Sequence, residues 1–134
     1  MAFIWSGAIY TSASRKNPPL KILSAGNGGI KFVVSSVLSQ GIIEACKGTP
    51  YFRFGVDIIG HKVGLMFQGQ EADAWRKPRI SKSGQIYATL DLKPFNTTME
   101  ELRGIYCDFH FDKNDQFWTA DIRKRQTIKG GRQC

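Results

Sequence analysis

Two stretches near the middle of the chain alternate between apolar and polar residues. They cover residues 51–56 and 62–67, and a turn sequence at 59–61 separates them. Their apolar positions are Phe52, Phe54, Val56, Val63, Leu65 and Phe67. Because successive side chains of a strand point to opposite faces, a period of two predicts two half-buried strands. With the intervening turn, the pattern predicts a β-hairpin.

The residues before this hairpin predict one strand and one helix. Residues 29–34 follow a glycine-rich turn and form an apolar run suited to a strand. Residues 39–47 suit a short helix, with Ser39 as its N-cap and Gly48 at the C′ position.

A second series of elements follows in the same order. Its helix is very short, and Thr98 and Glu101 at its start have the spacing of a capping box. In order, the series contains a turn at 82–84, a strand at 85–90, this helix ending at Gly104, an alternating strand at 105–111, a turn at 113–115 and a return strand carrying Trp118, Ala120 and Ile122.

The two series align without gaps at an offset of 55 residues. We therefore predict a mainly β (α+β) fold built from two similar strand–short helix–hairpin halves, at about 20–67 and 76–122. The halves would form a pseudo-two-fold sandwich or barrel with one or two short helices. Six matched residues are expected to close its interior: Phe32, Phe54, Phe67, Tyr87, Phe109 and Ile122. Residues 1–122 are predicted to be one compact domain, and residues 123–134 a flexible basic tail.

The composition favours a basic intracellular protein. Lys and Arg number 19 against 11 Asp and Glu, which gives a net charge of +8 and favours contact with polyanions. No apolar run has the ~18–20 residues that a membrane-spanning helix needs, so no membrane partner is expected. The three widely spaced cysteines, Cys46, Cys107 and Cys134, fit neither a disulfide framework nor a zinc site. A cytoplasmic location is predicted.

Two glycine-led units carry a resemblance to a known family. Gly29-Ile30-Lys31-Phe32 with residues 51–67, and Lys82-Ser83-Gly84-Gln85-Ile86 with residues 106–122, resemble tandem swapped-hairpin halves of the AbrB/MazE type. They also resemble small uncharacterised proteins of phages and mobile elements. Members of the AbrB/MazE type form dimers that grip DNA, so the resemblance implies that two fused halves imitate such a dimer. The proline-plus-arginine helix start of that family is absent after Ile86, and no DNA-contacting role is transferred.

Catalytic and metal-binding patterns give no site. His110 alternates with Asp108 and Asp112, which is more typical of a solvated strand face than of a metal site with a full ligand set. No serine or cysteine lies in a nucleophile motif, and Cys46 and Cys107 are expected to pack as small apolar side chains. The sequence therefore predicts no enzyme activity, no metal and no cofactor.

Basic residues interleaved with an aromatic residue form the candidate binding site. The first cluster, in an apparent loop, combines Trp75 with Arg76, Lys77, Arg79 and Lys82, and the tail adds Arg123, Lys124 and Arg125. Lys and Arg would neutralise phosphates, while the indole would stack on an unpaired base. Tyr106 is a weaker stacking candidate on the face away from the core. The alternative is that Trp75 covers an apolar edge and the charges only keep the protein in solution.

Two functions remain open at this point. The first is a non-catalytic nucleic-acid-binding protein of a phage or mobile element, with DNA favoured over RNA as its partner. The second is a small phage protein that docks on a host factor or on virion subunits, with the apolar start (Phe3, Ile4 and Trp5) and the tail as docking arms. The sequence determines neither strandedness nor oligomeric state.

Overall fold

The computed structural model describes residues 18–126. In chain order its elements are strands β1 (Leu20–Gly26) and β2 (Gly29–Val34), helix α1 (Ser36–Ala45), strands β3 (Tyr51–Asp57), β4 (Lys62–Gln68), β5 (Arg79–Ile80) and β6 (Ile86–Asp91), a 3₁₀ turn (Lys93–Phe95), helix α2 (Met99–Leu102), strands β7 (Gly104–Tyr106), β8 (His110–Asp112) and β9 (Phe117–Asp121), and a 3₁₀ turn (Ile122–Lys124).

The strands form two antiparallel sheets. One sheet has five strands in the order β5-β6-β2-β1-β7, and the other has four in the order β3-β4-β9-β8. Each sheet turns one apolar face towards the other, as in a sandwich. The prediction of a mainly β fold with two short helices is confirmed.

The two sheets are also joined at their edges. On one side, Phe52 of β3 and Arg76 exchange two backbone hydrogen bonds just before the chain enters β5. On the other side, the chain passes from β7 to β8 within residues 107–109. The first of these links places the segment around Arg76 where the edge of one sheet meets the edge of the other.

Phenylalanine rings fill much of the interior. The ring of Phe32 in β2 packs edge-on against Phe52 with centroids 5.1 Å apart, and stacks on Phe54 at 6.2 Å. Phe54 in turn meets Phe95 at 5.4 Å. Phe32 is fully buried, so replacing it with alanine would cost about 3–5 kcal/mol.

Five of the six residues expected to close the interior do so. Phe32, Phe54 and Phe109 are buried, and Phe67 and Ile122 pack against them half-buried. Tyr87 is the exception, because it lies in β6 between the inward-facing Ile86 and Ala88 and therefore points out of the sandwich.

The predicted single strand at 105–111 is wrong. Tyr106 pairs with Leu20 in the five-stranded sheet, whereas Phe111 pairs with Trp118 in the other sheet. Tyr106 is fully buried and its hydroxyl donates to the Leu102 carbonyl, so it is no stacking surface for a base. Since Ile105 is buried as well, alternation does not describe β7.

Helix α1 begins earlier than predicted. Its N-cap is Ser35, whose hydroxyl accepts from the Leu38 amide, while Ser39 is buried inside the helix. At the other end, Lys47 takes the left-handed C′ position at φ 60° and Gly48 follows at C″. The amides of both residues bond back into the last turn, as in a Schellman motif. The predicted capping box of α2, Thr98 with Glu101, is confirmed.

The two hairpins have equivalent turns at the offset of 55 residues. The Asp57 carboxylate accepts from the Gly60 amide at 2.8 Å, and the Asp112 carboxylate accepts from the Asp115 amide at 3.2 Å. The residues that end the turns, His61 and Gln116, are both left-handed, at φ 57° and 63°. The two-fold relation between complete halves stays a prediction, which these matching turns favour.

The beginning of the predicted tail is attached to the sheet. Gln126 exchanges backbone hydrogen bonds with Ile105, and the Arg125 side chain binds carbonyls around α2. These contacts attach residues 123–126 to the fold, and the flexibility of the tail as a whole stays a prediction. The rest of the tail lies outside the described residues. Between residues 18 and 126 there is no helix with the length and hydropathy needed to span a bilayer.

Candidate nucleic-acid interface

One row of side chains crosses the outer face of the five-stranded sheet. Ile22, Phe32 and Ala88 are cross-strand partners that point into the core, so the residues beside them in sequence point outwards. The outward row consists of successive cross-strand partners: Arg79, Tyr87, Val33, Lys21 and Ile105. Within this row Arg79 is exposed and Tyr87 and Lys21 are half-buried, whereas Val33 and Ile105 are buried.

A second outward row brings another cation to Tyr87. Lys31 of β2 lies between Thr89 of β6 and Leu23 of β1. Its ammonium is 4.7 Å from the centroid of the Tyr87 ring, within the range of a cation–π contact. Tyr87 therefore has Lys31 on its ring face and Arg79 as its partner on β5.

Few acidic residues accompany these cations. Strands β1, β2, β5 and β7 contain no aspartate or glutamate. Strand β6 contains one, Asp91, whose carboxylate accepts from the Lys93 amide at 3.0 Å at the far end of the strand. No carboxylate therefore opposes Lys21, Lys31 or Arg79 among their cross-strand partners.

Arg76 lies at the rim of this face. Its guanidinium is 5.8 Å from the Phe52 ring centroid, and one terminal nitrogen donates to the Thr89 carbonyl at 3.4 Å. Strand β5 pairs only with Ile86 and Tyr87 and does not extend to Thr89. The Thr89 carbonyl therefore has no partner in β5, and Arg76 binds it instead. We call Lys21, Lys31, Arg79 and Tyr87, with Arg76 at their rim, the basic sheet face.

The structure separates the eight residues of the sequence-predicted site. Arg76 and Arg79 join the basic sheet face, and Lys77 and Lys82 are exposed along the same edge of the sheet. Trp75 is half-buried.

The 123–125 segment lies at the opposite edge of the sheet. It directly precedes Gln126, which pairs with Ile105 on the outer side of β7. Four strand spacings of roughly 4.8 Å put the two edges about 19 Å apart.

Two of the three cations in the 123–125 segment are bound to the protein itself. Arg123 forms an ion pair with Asp121 at 3.2 Å, which holds the pKa of that carboxyl below its usual range. Arg125 donates to the carbonyls of Ile122 at 2.8 Å, Arg103 at 3.0 Å and Glu100 at 3.3 Å. These contacts give Arg125 a structural role, while Lys124 is exposed.

Lys21, Lys31 and Tyr87 were missed by the sequence prediction. The signal was present, because each lies between two buried apolar neighbours in a predicted or apolar strand segment, as Lys31 does between Ile30 and Phe32. Such a position points away from the core. Their proximity, however, depends on pairing between β2 and β6, whose partner residues are 54 to 62 positions apart in sequence.

Other chemistry is sparse in the part of the chain that the structure describes. Within residues 18–126, no group of three or more His, Cys, Asp or Glu side chains is arranged to hold a metal ion. His110 Nδ1 lies 2.7 Å from the Asp108 carbonyl, while the Asp108 carboxylate accepts from the Asp121 amide.

The two described cysteines differ in state. Cys46 is a half-buried free thiol, and burial raises its pKa. Cys107 is disulfide-bonded, which contradicts the expectation that the three cysteines fit no disulfide.

The fold and the face define a class of protein, a two-layer antiparallel β protein with a basic, aromatic-containing sheet face. No protein-family model matches the chain, and no curated protein and no solved structure is significantly similar to it.

Proposed function

We propose that the protein is a non-catalytic nucleic-acid-binding protein and that its ligand lies on the basic sheet face. The observation that carries the proposal is the Lys31–Tyr87 contact on a face where Arg79 is the cross-strand partner of Tyr87, Lys21 lies two strands away, and no carboxylate opposes these cations. The chain's net charge of +8 favours the same class of ligand.

The chemistry of the face fits a polyanion that carries aromatic groups. Lys and Arg side chains neutralise phosphates and release bound counterions, which provides affinity that falls with added salt. An aromatic ring among them supplies a stacking surface of the kind used in sheet-based nucleic-acid recognition. DNA stays the expected form of the ligand, and phage or mobile-element origin and cytoplasmic location stay predictions.

The proposal moves the site predicted from sequence. Arg76 and Arg79 are retained, and Lys21, Lys31 and Tyr87 are added. Arg125 is removed, since its guanidinium already binds three carbonyls. The competing prediction of protein docking rests on Phe3, Ile4 and Trp5, which lie outside the described residues, and on the tail, of which only residues 123–126 are described.

Two charge-matched double variants test the location of the site. Lys31→Glu/Arg79→Glu alters the basic sheet face, and Arg123→Glu/Lys124→Glu makes the same change in net charge at the opposite edge. Binding of a labelled oligonucleotide is measured by fluorescence anisotropy from 50 to 300 mM KCl, with circular dichroism to confirm folding.

The first variant is expected to lose at least tenfold in affinity at low salt. The slope of log K against log salt should flatten by about 1.4–1.8, or roughly 0.7–0.9 for each phosphate that the variant no longer neutralises. The second variant should stay within about threefold of the wild type. Equal losses in both variants would show that only net charge matters and would reject this face as the site, and absence of binding by the wild-type protein would reject the function.

A further inference from the structure

We infer that the basic sheet face binds single-stranded nucleic acid, with one base stacked on Tyr87; this inference rests on the proposed function. It extends that proposal from a class of polymer to its strandedness. Three features of the described residues carry it: the composition of the helices, the width of the sheet and the surroundings of the Tyr87 ring.

The described helices are not suited to reading a duplex groove. A recognition helix in the major groove needs exposed residues that contact phosphates and base edges. Helix α1 contains no Lys or Arg, and its Ser39 and Ile42 are buried. Helix α2 is a single turn that carries Glu100 and Glu101, which would repel phosphates.

The cations lie on a surface that is too wide for a groove. Lys21 and Arg79 are separated by three strand spacings, and the whole sheet is about 19 Å across. The major groove of B-DNA is about 12 Å wide and accepts a two-stranded ribbon, not a five-stranded sheet. A face of this width can instead lie along a single strand whose bases are turned towards the protein.

The Tyr87 ring is half-buried and has one cation over its face. Lys31 contacts the ring, and no second cation or aromatic ring packs against Tyr87 among residues 18–126. A base stacked on the opposite side of the ring would lie near Lys31 and Arg79, which are on the two strands next to β6. These two cations would meet the adjacent phosphates, and Lys21, two strands away, would meet a phosphate further along the bound strand. Stacking of this kind tolerates any base, so little sequence preference is expected.

The test compares ligands of equal length at equal salt. A labelled 12-nucleotide oligo(dT), an oligo(U) of the same length and a 12-base-pair duplex are titrated with the full-length protein at 100 mM KCl. Either single strand is expected to bind at least tenfold more tightly than the duplex. Tyr87→Leu should weaken single-strand binding about tenfold or more, because the variant has no stacking surface, whereas Tyr87→Phe should retain it.

Tyr51→Leu is the control for a tyrosine elsewhere, since Tyr51 is a half-buried residue of the other sheet. Its affinity should match the wild type, and chemical shifts of the Tyr87 ring protons should move on binding while those of Tyr51 do not. Unchanged single-strand affinity in Tyr87→Leu would overturn the stacking inference. Equal or tighter duplex binding that is abolished in Lys31→Glu/Arg79→Glu would overturn the single-strand inference and leave the proposed function intact. Absence of binding to all three ligands would overturn both.

Discussion

The Ser39 hydroxyl of helix α1 accepts a hydrogen bond from the Ile86 amide of strand β6 at 2.9 Å. The same hydroxyl donates to the Val34 carbonyl of β2 at 3.2 Å, and Ser39 has no exposed surface. One side chain thus connects the helix to the two strands at the centre of the five-stranded sheet. These strands, β2 and β6, carry Lys31 and Tyr87 on their outer side, so the contact supports the geometry of the candidate site.

Ser39→Ala is expected to destabilise the protein by about 1–3 kcal/mol, because it leaves the buried Ile86 amide and Val34 carbonyl without their partner. The measurement is the midpoint of urea unfolding. Ser36→Ala is the control, since Ser36 lies in the same helix and its side chain makes no hydrogen bond within residues 18–126. Equal midpoints for the two variants would contradict the role of Ser39.

Arg125→Ala is expected to lower stability by about 1–2 kcal/mol, because its guanidinium donates charge-assisted hydrogen bonds to three carbonyls. Arg125→Lys should recover only part of this, since an ammonium cannot reproduce the planar fork. Thermal unfolding gives the measurement, and the salt dependence of oligonucleotide binding is recorded in parallel.

Arg123→Ala serves as the control for Arg125, because the Arg123 side chain is 65% exposed and its ion pair with Asp121 is expected to contribute little to stability. The Arg125 variants should keep the wild-type salt slope once folding is accounted for. A flatter slope at unchanged stability would instead return Arg125 to the phosphate-contacting surface predicted from sequence.

The hairpin of β3 and β4 was predictable because one of its faces is buried and the other is not. Phe52 and Phe54 face the core while Arg53 does not, and this difference produces the alternation in the sequence. The segment at 105–111 was not predictable in this way. There the chain leaves one sheet and enters the other, and Ile105 and Tyr106 are both buried, so a period of two has no meaning across the crossing.

The candidate site was predictable only in part, for a similar reason. Local charge density drew attention to the segments around Arg79 and Arg125, and it could not distinguish a cation that faces solvent from one that binds carbonyls. Lys31 and Tyr87 belong to different predicted halves, and their contact exists because β2 pairs with β6. Long-range strand pairing of this kind is set by the packing of the whole core and leaves no local signal.

Gly29→Ala is expected to cost about 1–3 kcal/mol, because a β-carbon on this buried strand residue would lie 2.7 Å from the Leu90 carbonyl oxygen. Gly55→Ala is the matched control in another strand, where the same atom would meet nothing within 4 Å. The control should be neutral or slightly more stable than the wild type, since alanine reduces the freedom of the unfolded chain. Chemical unfolding of both variants checks the prediction, which fails if Gly29→Ala is tolerated as well as Gly55→Ala.

Alkaline pH is expected to destabilise the fold through Tyr106. Burial raises the pKa of its phenol above the ordinary value near 10, and the hydroxyl donates to the Leu102 carbonyl. A group whose pKa is higher in the folded state contributes its full stability below the unfolded pKa, and this contribution disappears as the pH rises. The free energy of unfolding should therefore fall above about pH 10, by at most roughly 1.4 kcal/mol per pH unit for one proton. Tyr106→Phe should be less stable at pH 7 and should show a shallower decline between pH 9 and 11, as measured by urea unfolding. Because lysines titrate in both proteins, the difference between the two curves isolates Tyr106, and parallel curves would exclude its phenol as the cause.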